Sequence, residues 1–345
     1  MFSAREATLG SVTIGGDSPV RIQSMYEDSL LGADIDSLIE RINTLSLMGM
    51  DIIRFSFTSE EEAGALSQVV SRSPVPVVAD IHFDYRLALL ALRSGAHKIR
   101  INPGNIGAEW KTREVVKCAK DLGRCIRIGL NSGSLPSKYK GLSTPDAMVA
   151  SALDYVEVFE SEGFENLVVS LKSSDGEETV EAARKLSRLC PYPQHLGVTE
   201  AGDPVTSAVR STWALGRLLS EGIGDTVRIS MTGSMEDEVA AAVELLRCLS
   251  LRKQGVRIVA CPRCGRHTFD TIAFLSRVRP KLLSMDKAVT VAVMGCPVNG
   301  PGEAKAADYA ITGAGGKVSI YRHGSLVLRV EENEAERAFF EVLDE

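Results

Sequence analysis

The sequence predicts an α/β protein: a parallel barrel of eight strand–helix units over residues 1–251, then a small α+β domain over residues 252–345. Three observations lead there. Short β-branched runs alternate with longer amphipathic runs from residue 19 to about 250. Several amphipathic runs stop at glycine, as a left-handed C-terminal cap requires. The rhythm then changes beyond residue 252. Eight such units in series are the count that closes a TIM (β/α)8 barrel. A doubly wound open sheet also alternates, but it usually carries a Gly-rich phosphate turn after its first strand, and none is evident here.

In chain order the barrel strands are VRIQSM (20–25), DIIRFSF (51–57), VPVVADI (75–81), KIRIN (98–102), CIRIGLN (125–131), NLVVSLK (166–172), HLGVTE (195–200) and TVRISMT (226–232). Between them lie helical patterns such as DIDSLIERINTLSLMG, DYRLALLALRSG and DAMVASALDYVEVFESEG. In the second domain GVRIVACPRCGRH, AVTVAVMGCPVNGPGE and KVSIYRHGSLVLRV read as strands, with helices near 268–279 and 333–344.

Composition narrows the function. The chain has 345 residues and a net charge of −6 with no block of Lys and Arg, which argues against nonspecific nucleic-acid binding. No apolar run approaches the roughly 18 residues of a spanning helix, and MFSAREATLGSVTIGG lacks a secretory core, so a cytoplasmic location is expected. In that reducing compartment seven cysteines are buried thiols or metal ligands rather than disulfides. Cys118, Cys125, Cys190 and Cys248 stand in apolar contexts and read as small core residues.

In a parallel barrel, catalytic groups gather at the C-terminal ends of the strands. Here those ends carry Gln23, Arg54, Asp80, His82, Arg100, Asn102, Arg127, Asn131, Lys172, Glu200, Arg228 and Ser230. Four strands repeat Arg, an apolar residue, then a small or polar one: RFS, RIN, RIG and RIS. Alternate strand residues share a face, so each Arg points the same way as the residue two places on. One such Arg suggests an ion pair. Four, joined by Lys172, suggest a positive mouth for a phosphorylated or diphosphorylated substrate. Asp80 and Glu200 either pair with that charge or handle protons.

The second domain holds ACPRCGRH and GCPVNGPGE, with Cys261 and Cys264 on one tight turn and Cys296 on another. Three readings stay open on spacing alone. One is structural zinc on these thiols plus His267 or Glu303. Another is a 4Fe-4S cluster on three thiolates with an unusual fourth ligand. The last is a grouping that holds no metal.

The stretches VADIHFDYRLAL, RINPGNIG, IRIGLNSGSL, HLGVTEAG, LLSEGIGDTVRIS, ACPRCGR and GCPVNGPGEAKAADYAITG resemble the 4-hydroxy-3-methylbut-2-enyl diphosphate synthase family of non-mevalonate isoprenoid biosynthesis, the IspG or GcpE type, over nearly the whole chain. The resemblance implies a TIM barrel followed by a ferredoxin-like iron–sulfur domain. It implies a 4Fe-4S cluster on Cys261, Cys264, Cys296 and Glu303, where a carboxylate is a more exchangeable ligand than a thiolate. It implies an oxidoreductase that opens 2-C-methyl-D-erythritol 2,4-cyclodiphosphate, fed singly with two electrons by flavodoxin or ferredoxin. Substrate contacts then fall on Arg54, Asp80, Arg100, Asn102, Arg127, Asn131, Lys172 and Asn299, with Glu200 as proton donor. Arg228 and Ser230 are added from strand position.

The chain departs from the usual family pattern at Tyr26-Glu27-Asp28, at NSGS after the fifth strand and at TGSMEDE after the eighth. The eighth helix, MEDEVAAAVELLRCLSL, carries the chain about 25 Å from the mouth at roughly 1.5 Å per residue. That predicts a head-to-tail homodimer in which each cluster domain caps the partner's barrel, as the resemblance also implies. The rival reading is a zinc-stabilised barrel aldolase or lyase, with Lys172 as Schiff-base amine.

Overall fold

The computed structural model describes residues 3–298 and 300–344. The chain divides into two compact units, Met1–Arg252 and Lys253–Glu345. The first opens with a hairpin, β1 (Glu6–Leu9) and β2 (Val12–Gly15), and then alternates strands and helices. These are β3 (Arg21–Met25), α1 (Ile35–Met48), β4 (Ile52–Ser56), α2 (Ala63–Arg72), β5 (Val77–Ile81), α3 (Tyr85–Arg93), β6 (Lys98–Ile101), α4 (Pro103–Ile106), α5 (Glu109–Asp121) and β7 (Cys125–Asn131). There follow α6 (Thr144–Ser161), β8 (Leu167–Lys172), α7 (Gly176–Leu189), β9 (His195–Leu196), α8 (Pro204–Ser220), β10 (Thr226–Val227) and α9 (Met235–Cys248).

Strands β3 to β10 form one parallel sheet in the order β8-β7-β6-β5-β4-β3-β10-β9. A parallel bridge between Val169 and Gln194 joins its two ends, so the sheet closes as a barrel. Every residue of β5 is buried, as expected of a strand with side chains on one face and helices on the other. The loops at the C-terminal ends of the strands enter their helices through polar caps, which satisfy N–H groups that the helix leaves unpaired. Asp34, Asp84, Ser143, Asp175, Asp203 and Ser234 fill these positions.

The strands expected over 195–200 and 226–232 pair only over two residues each. The ladder stops where Lys172 crosses the chain. A Cβ on Gly197 would lie 2.5 Å from Lys172 Nζ and 2.9 Å from the Arg228 carbonyl oxygen. The backbone there makes way for side chains of the mouth.

The hairpin was not expected from the sequence. Its Ala7, Leu9 and Ile14 pack on Ile52, Val78, Cys125 and Val168 from the barrel interior, forming an apolar floor. Asn166, just before β8, pins it from outside: its Oδ1 accepts from the Thr8 N–H at 2.8 Å and its Nδ2 donates to the Thr8 carbonyl at 3.0 Å.

The second unit runs β11 (Arg257–Ala260), α10 (Thr271–Leu283), β12 (Thr290–Met294), α11 (Gly300–Ala306), β13 (Tyr309–Gly313), β14 (Lys317–Arg322), β15 (Ser325–Glu331) and α12 (Ala335–Asp344). Its sheet is mixed, ordered β11-β12-β13-β14-β15, with the first three strands parallel and the last two antiparallel. Phe269, Phe274, Phe339 and Leu343 anchor its core. Among the described residues no helix is long and apolar enough to cross a membrane.

Leu9 is fully buried in the floor. Leu9→Ala should therefore cost about 2–5 kcal/mol of stability, read as a lower urea midpoint. An unchanged midpoint would show that the hairpin does not belong to the barrel's core.

Candidate functional site

The barrel interior changes character along its axis. Above the apolar floor the inward residues are charged, and most are buried. Register pairs Asp80 with Arg100 and Arg100 with Arg127, so the charged groups stand side by side on β5, β6 and β7. Asp80 lies between two guanidinium groups: Arg100 Nη1 donates to Oδ1 at 3.1 Å, and Arg54 Nη2 stands 3.5 Å from Oδ2. Arg100 also donates to the Gly129 carbonyl at 3.1 Å. Gly129, the small residue of the RIG triplet, has to be small, because a Cβ there would lie 2.2 Å from Arg100 Nε.

A second carboxylate was missed. Glu238, on the first turn of α9, is buried and accepts from Arg228 Nη2 at 2.8 Å, Arg228 Nε at 3.2 Å and Ser24 Oγ at 2.7 Å. Its only sequence signal was an acidic first turn, which reads as helix-dipole compensation. A cleft of about 210 Å³ opens beside this pair, walled by Met25, Tyr26, Ser56 and Met231. The divergent loop after β3 is tied down: Glu27 pairs with Arg41 at 2.8 Å, and Arg41 also holds Glu236 at 2.8 Å.

The charges do not balance. Arg54, Lys98, Arg100, Arg127, Lys172 and Arg228 set six basic side chains against two carboxylates, Asp80 and Glu238. Arg127 is 1 % exposed, and its Nε and Nη1 have no hydrogen-bond partner among the described residues. Burial and then neighbouring positive charge drive Arg127 and Lys172 well below their ordinary values. Burial lowers Arg54 to about 10, with Asp80 opposing and Arg228 and Arg100 adding to it. Burial alone would raise Asp80, but Arg54, Arg100, Arg127 and His82 outweigh it and hold the carboxyl at about 2. This is a mouth short of negative charge.

The other expected residues divide. Asn102 already makes two internal bonds: Oδ1 caps α4 through the Gly104 N–H, and Nδ2 donates to Ser134 Oγ at 3.0 Å. Asn131 ends β7 opposite Lys172. Glu200 is exposed, has left-handed backbone (φ 53°), and forms no hydrogen bond or ion pair with the described residues. Such a backbone is costly for a residue other than glycine, and it occurs disproportionately at functional loops. Gln23 is 1 % exposed, and neither amide atom has a partner among the described residues. Ser230 accepts from Ser207 Oγ through its backbone carbonyl. Asn299 lies outside the described residues.

In the second unit Cys261 follows β11, and its N–H donates to the Val293 carbonyl of the neighbouring β12 at 3.0 Å. Cys296 follows β12 and is buried; Glu303 is an exposed residue of α11. The Cys261–Thr268 loop docks beside Cys296, where the Thr268 N–H donates to the Gly295 carbonyl at 2.7 Å. Glycine makes this possible, since a Cβ on Gly313 would meet Phe269 Cβ at 2.7 Å and Gly295 O at 2.8 Å. Both His267 nitrogens are engaged, Nδ1 with the Cys264 carbonyl at 2.7 Å and Nε2 with Arg263 at 3.0 Å, which argues against it as a zinc ligand. Among the described residues no three His, Cys, Asp or Glu side chains stand together at metal-ligand spacing. The chemistry of the donor set, three thiols on the turns after adjacent parallel strands and a carboxylate on α11, fits an iron–sulfur cluster.

None of the seven cysteines is in a disulfide. Cys125 and Cys190 are buried and Cys118 is half-buried, but Cys248 is exposed, correcting its reading as a core residue. It is the last residue of α9.

A family model described as the GcpE TIM-barrel domain matches residues 4–243, and one described as the GcpE protein C-terminal domain matches residues 257–345. The chain is 45% identical over 349 residues to a protein of Desulfotalea psychrophila named 4-hydroxy-3-methylbut-2-en-1-yl diphosphate synthase (flavodoxin), covering 99% of this chain and 95% of that one. A protein of the same name from Maridesulfovibrio salexigens is 47% identical over 334 residues, covering 96% and 92%. Among solved structures, dihydropteroate synthase from Xanthomonas albilineans superposes with a TM-score of 0.52 at 14% identity, over 71% of this chain and 98% of that one. That likeness concerns the barrel fold alone.

Asp80 ties pH to stability. Its carboxyl sits at about 2, below the ordinary 3.8. Its contribution is therefore complete above about pH 4 and is lost as pH falls toward 2, amounting to about 2 kcal/mol. In urea titrations the stability gap between wild type and Asp80→Asn should narrow across that window. A gap that stays constant would contradict the pairing.

Proposed function

The chain belongs to the GcpE family, and from that premise we propose that it reductively opens 2-C-methyl-D-erythritol 2,4-cyclodiphosphate to 4-hydroxy-3-methylbut-2-en-1-yl diphosphate. Two electrons and two protons enter, a carbon–oxygen bond to phosphate breaks, and one water leaves. The single observation that best supports this reading is the excess of buried cationic charge in the barrel mouth. A cyclic diphosphate supplies the missing negative charge.

Each residue has a physical task in this reading. Arg127, with its unpartnered guanidinium nitrogens, and Lys172 take phosphate oxygens directly. Arg54 and Arg100 arrive pre-oriented, because Asp80 holds both. Asn131 orients the substrate's polar edge, and Asn102 keeps the loops after β6 and β7 in place through Ser134. Glu200 holds the proton that the leaving hydroxyl takes up. Cys261, Cys264, Cys296 and Glu303 would hold a 4Fe-4S cluster, and such a cluster supplies single-electron steps when bound. Electrons come from flavodoxin, as the relatives' names support, or from ferredoxin. The zinc-aldolase alternative has no such support from the relatives' names.

The same reading includes a cytoplasmic head-to-tail homodimer. The chain leaves the barrel at the face opposite the mouth: Arg252 Nη1 donates to Asp51 Oδ2 at 3.1 Å, just before β4 begins.

The test is anaerobic reconstitution with iron and sulfide, followed by supply of the cyclic diphosphate and a strong reductant. The linear allylic diphosphate should form. Protein that carries the cluster yet leaves the substrate intact would refute the reading. In the same assay Arg127→Met should weaken substrate binding by about 1–3 kcal/mol, and an unchanged affinity would remove Arg127 from the site.

A further inference from the structure

Below the rim of arginines lies a basic group with no assigned task. Lys98 is fully buried, and its Nζ has no hydrogen-bond partner among the described residues. It stands two residues before Arg100 on β6, so both side chains share the inward face. In register it faces Val78 on one side and Cys125 on the other, at the level of the apolar floor.

The groups that face it are Cys125 and Arg127 on β7, Arg54 on β4 and His195 on β9. None is a carboxylate. The nearest row's acid, Asp80, is already shared by Arg54 and Arg100. His195 offers no charge either: it is fully buried, its Nδ1 lies 2.7 Å from Thr226 Oγ1, and burial and the surrounding cations hold it well below its ordinary value.

We propose that Lys98 is a positioning residue for the anionic substrate: neutral beneath an empty mouth, it takes up a proton when a diphosphate enters above it, so that charge on the barrel floor follows the occupant. The inference rests on the functional reading given above and adds to it the coupling between substrate binding and protonation. Burial, with Arg127 and Arg54 adding, lowers the Lys98 ammonium to about 7, Cys125 acting in the opposite sense, so a small change in local charge decides its state. A polyanion set among Arg127, Arg100 and Arg54 offsets the positive charges that suppress protonation. Without that uptake, an uncharged amine would lie beneath the anion.

Titration calorimetry of the full-length protein with the cyclic diphosphate near pH 8, in buffers of different ionisation enthalpy, counts the protons. Each phosphorus of the cyclic compound carries one ester and one anhydride bond, which leaves a single strongly acidic oxygen with no proton to release or accept near that pH, so the uptake belongs to the protein. Wild type should take up between about half a proton and one proton from Lys98, on top of any share from Lys172. Lys98→Met should lose at least half a proton of that uptake and bind several-fold more weakly, while its ligand-free Tm rises because an unpaired buried amine is gone. Lys98→Arg, whose guanidinium does not titrate in this range, should lose the uptake but keep more of the affinity than Lys98→Met. Uptake that is absent in wild type, or equal in all three proteins, overturns the inference while the functional reading stands. Failure of wild type to bind the cyclic diphosphate at all overturns both.

Discussion

Six basic side chains share the barrel interior with two acids. Burying unpaired charge is among the costliest things a fold can do, and it persists only where the rest of the structure over-determines it. Here the determinants are visible. Parallel strands fix Arg54, Arg100 and Arg127 side by side, and Gly129 and Gly197 clear the paths of Arg100 and Lys172. The hairpin seals the floor below, so the charged layer opens toward the mouth and rests on hydrocarbon. In the proposed reading, stability given up in the empty barrel is recovered when an anion arrives, which makes the mouth a receptor for charge before it is a catalyst.

The two units divide the chemistry by type of ligand. The barrel presents hard, hydrogen-bonding cations suited to phosphate oxygen, and the second unit presents soft thiols suited to iron. Within the second unit the fold's contribution is mainly steric. Gly313 lets the Cys261–Thr268 loop settle against the turn that carries Cys296, and α11 places Glu303 beyond it.

Much of this was legible in the sequence because strand periodicity is short and strict. The Arg-apolar-small triplets placed four arginines on one face, and their inward orientation follows from alternation alone. The same rule reaches Lys98, which shares a face with Arg100 and Asn102, but a lysine at the start of a strand reads as a solvated edge residue. Glu238 was hidden because an acid on a helix's first turn already has a local explanation. The hairpin was hidden because its strands are only four residues long and its purpose, closing a barrel floor, is a tertiary one. Strands β9 and β10 ended early where Lys172 needs space, which no local propensity encodes. Cys248 read as buried from its apolar neighbours, but helix ends expose residues that the middle of the same helix would cover.

The central claim is that the mouth is an anion receptor whose missing charge a diphosphate supplies. Thermal unfolding with increasing cyclic diphosphate at constant ionic strength tests it most directly. At about 100 times Kd, selective binding to the folded state adds about 2.7 kcal/mol, which raises Tm by about 4 °C for a chain of this size. A Tm that does not move with ligand, or that moves equally with an uncharged polyol of the same carbon skeleton, would contradict the account.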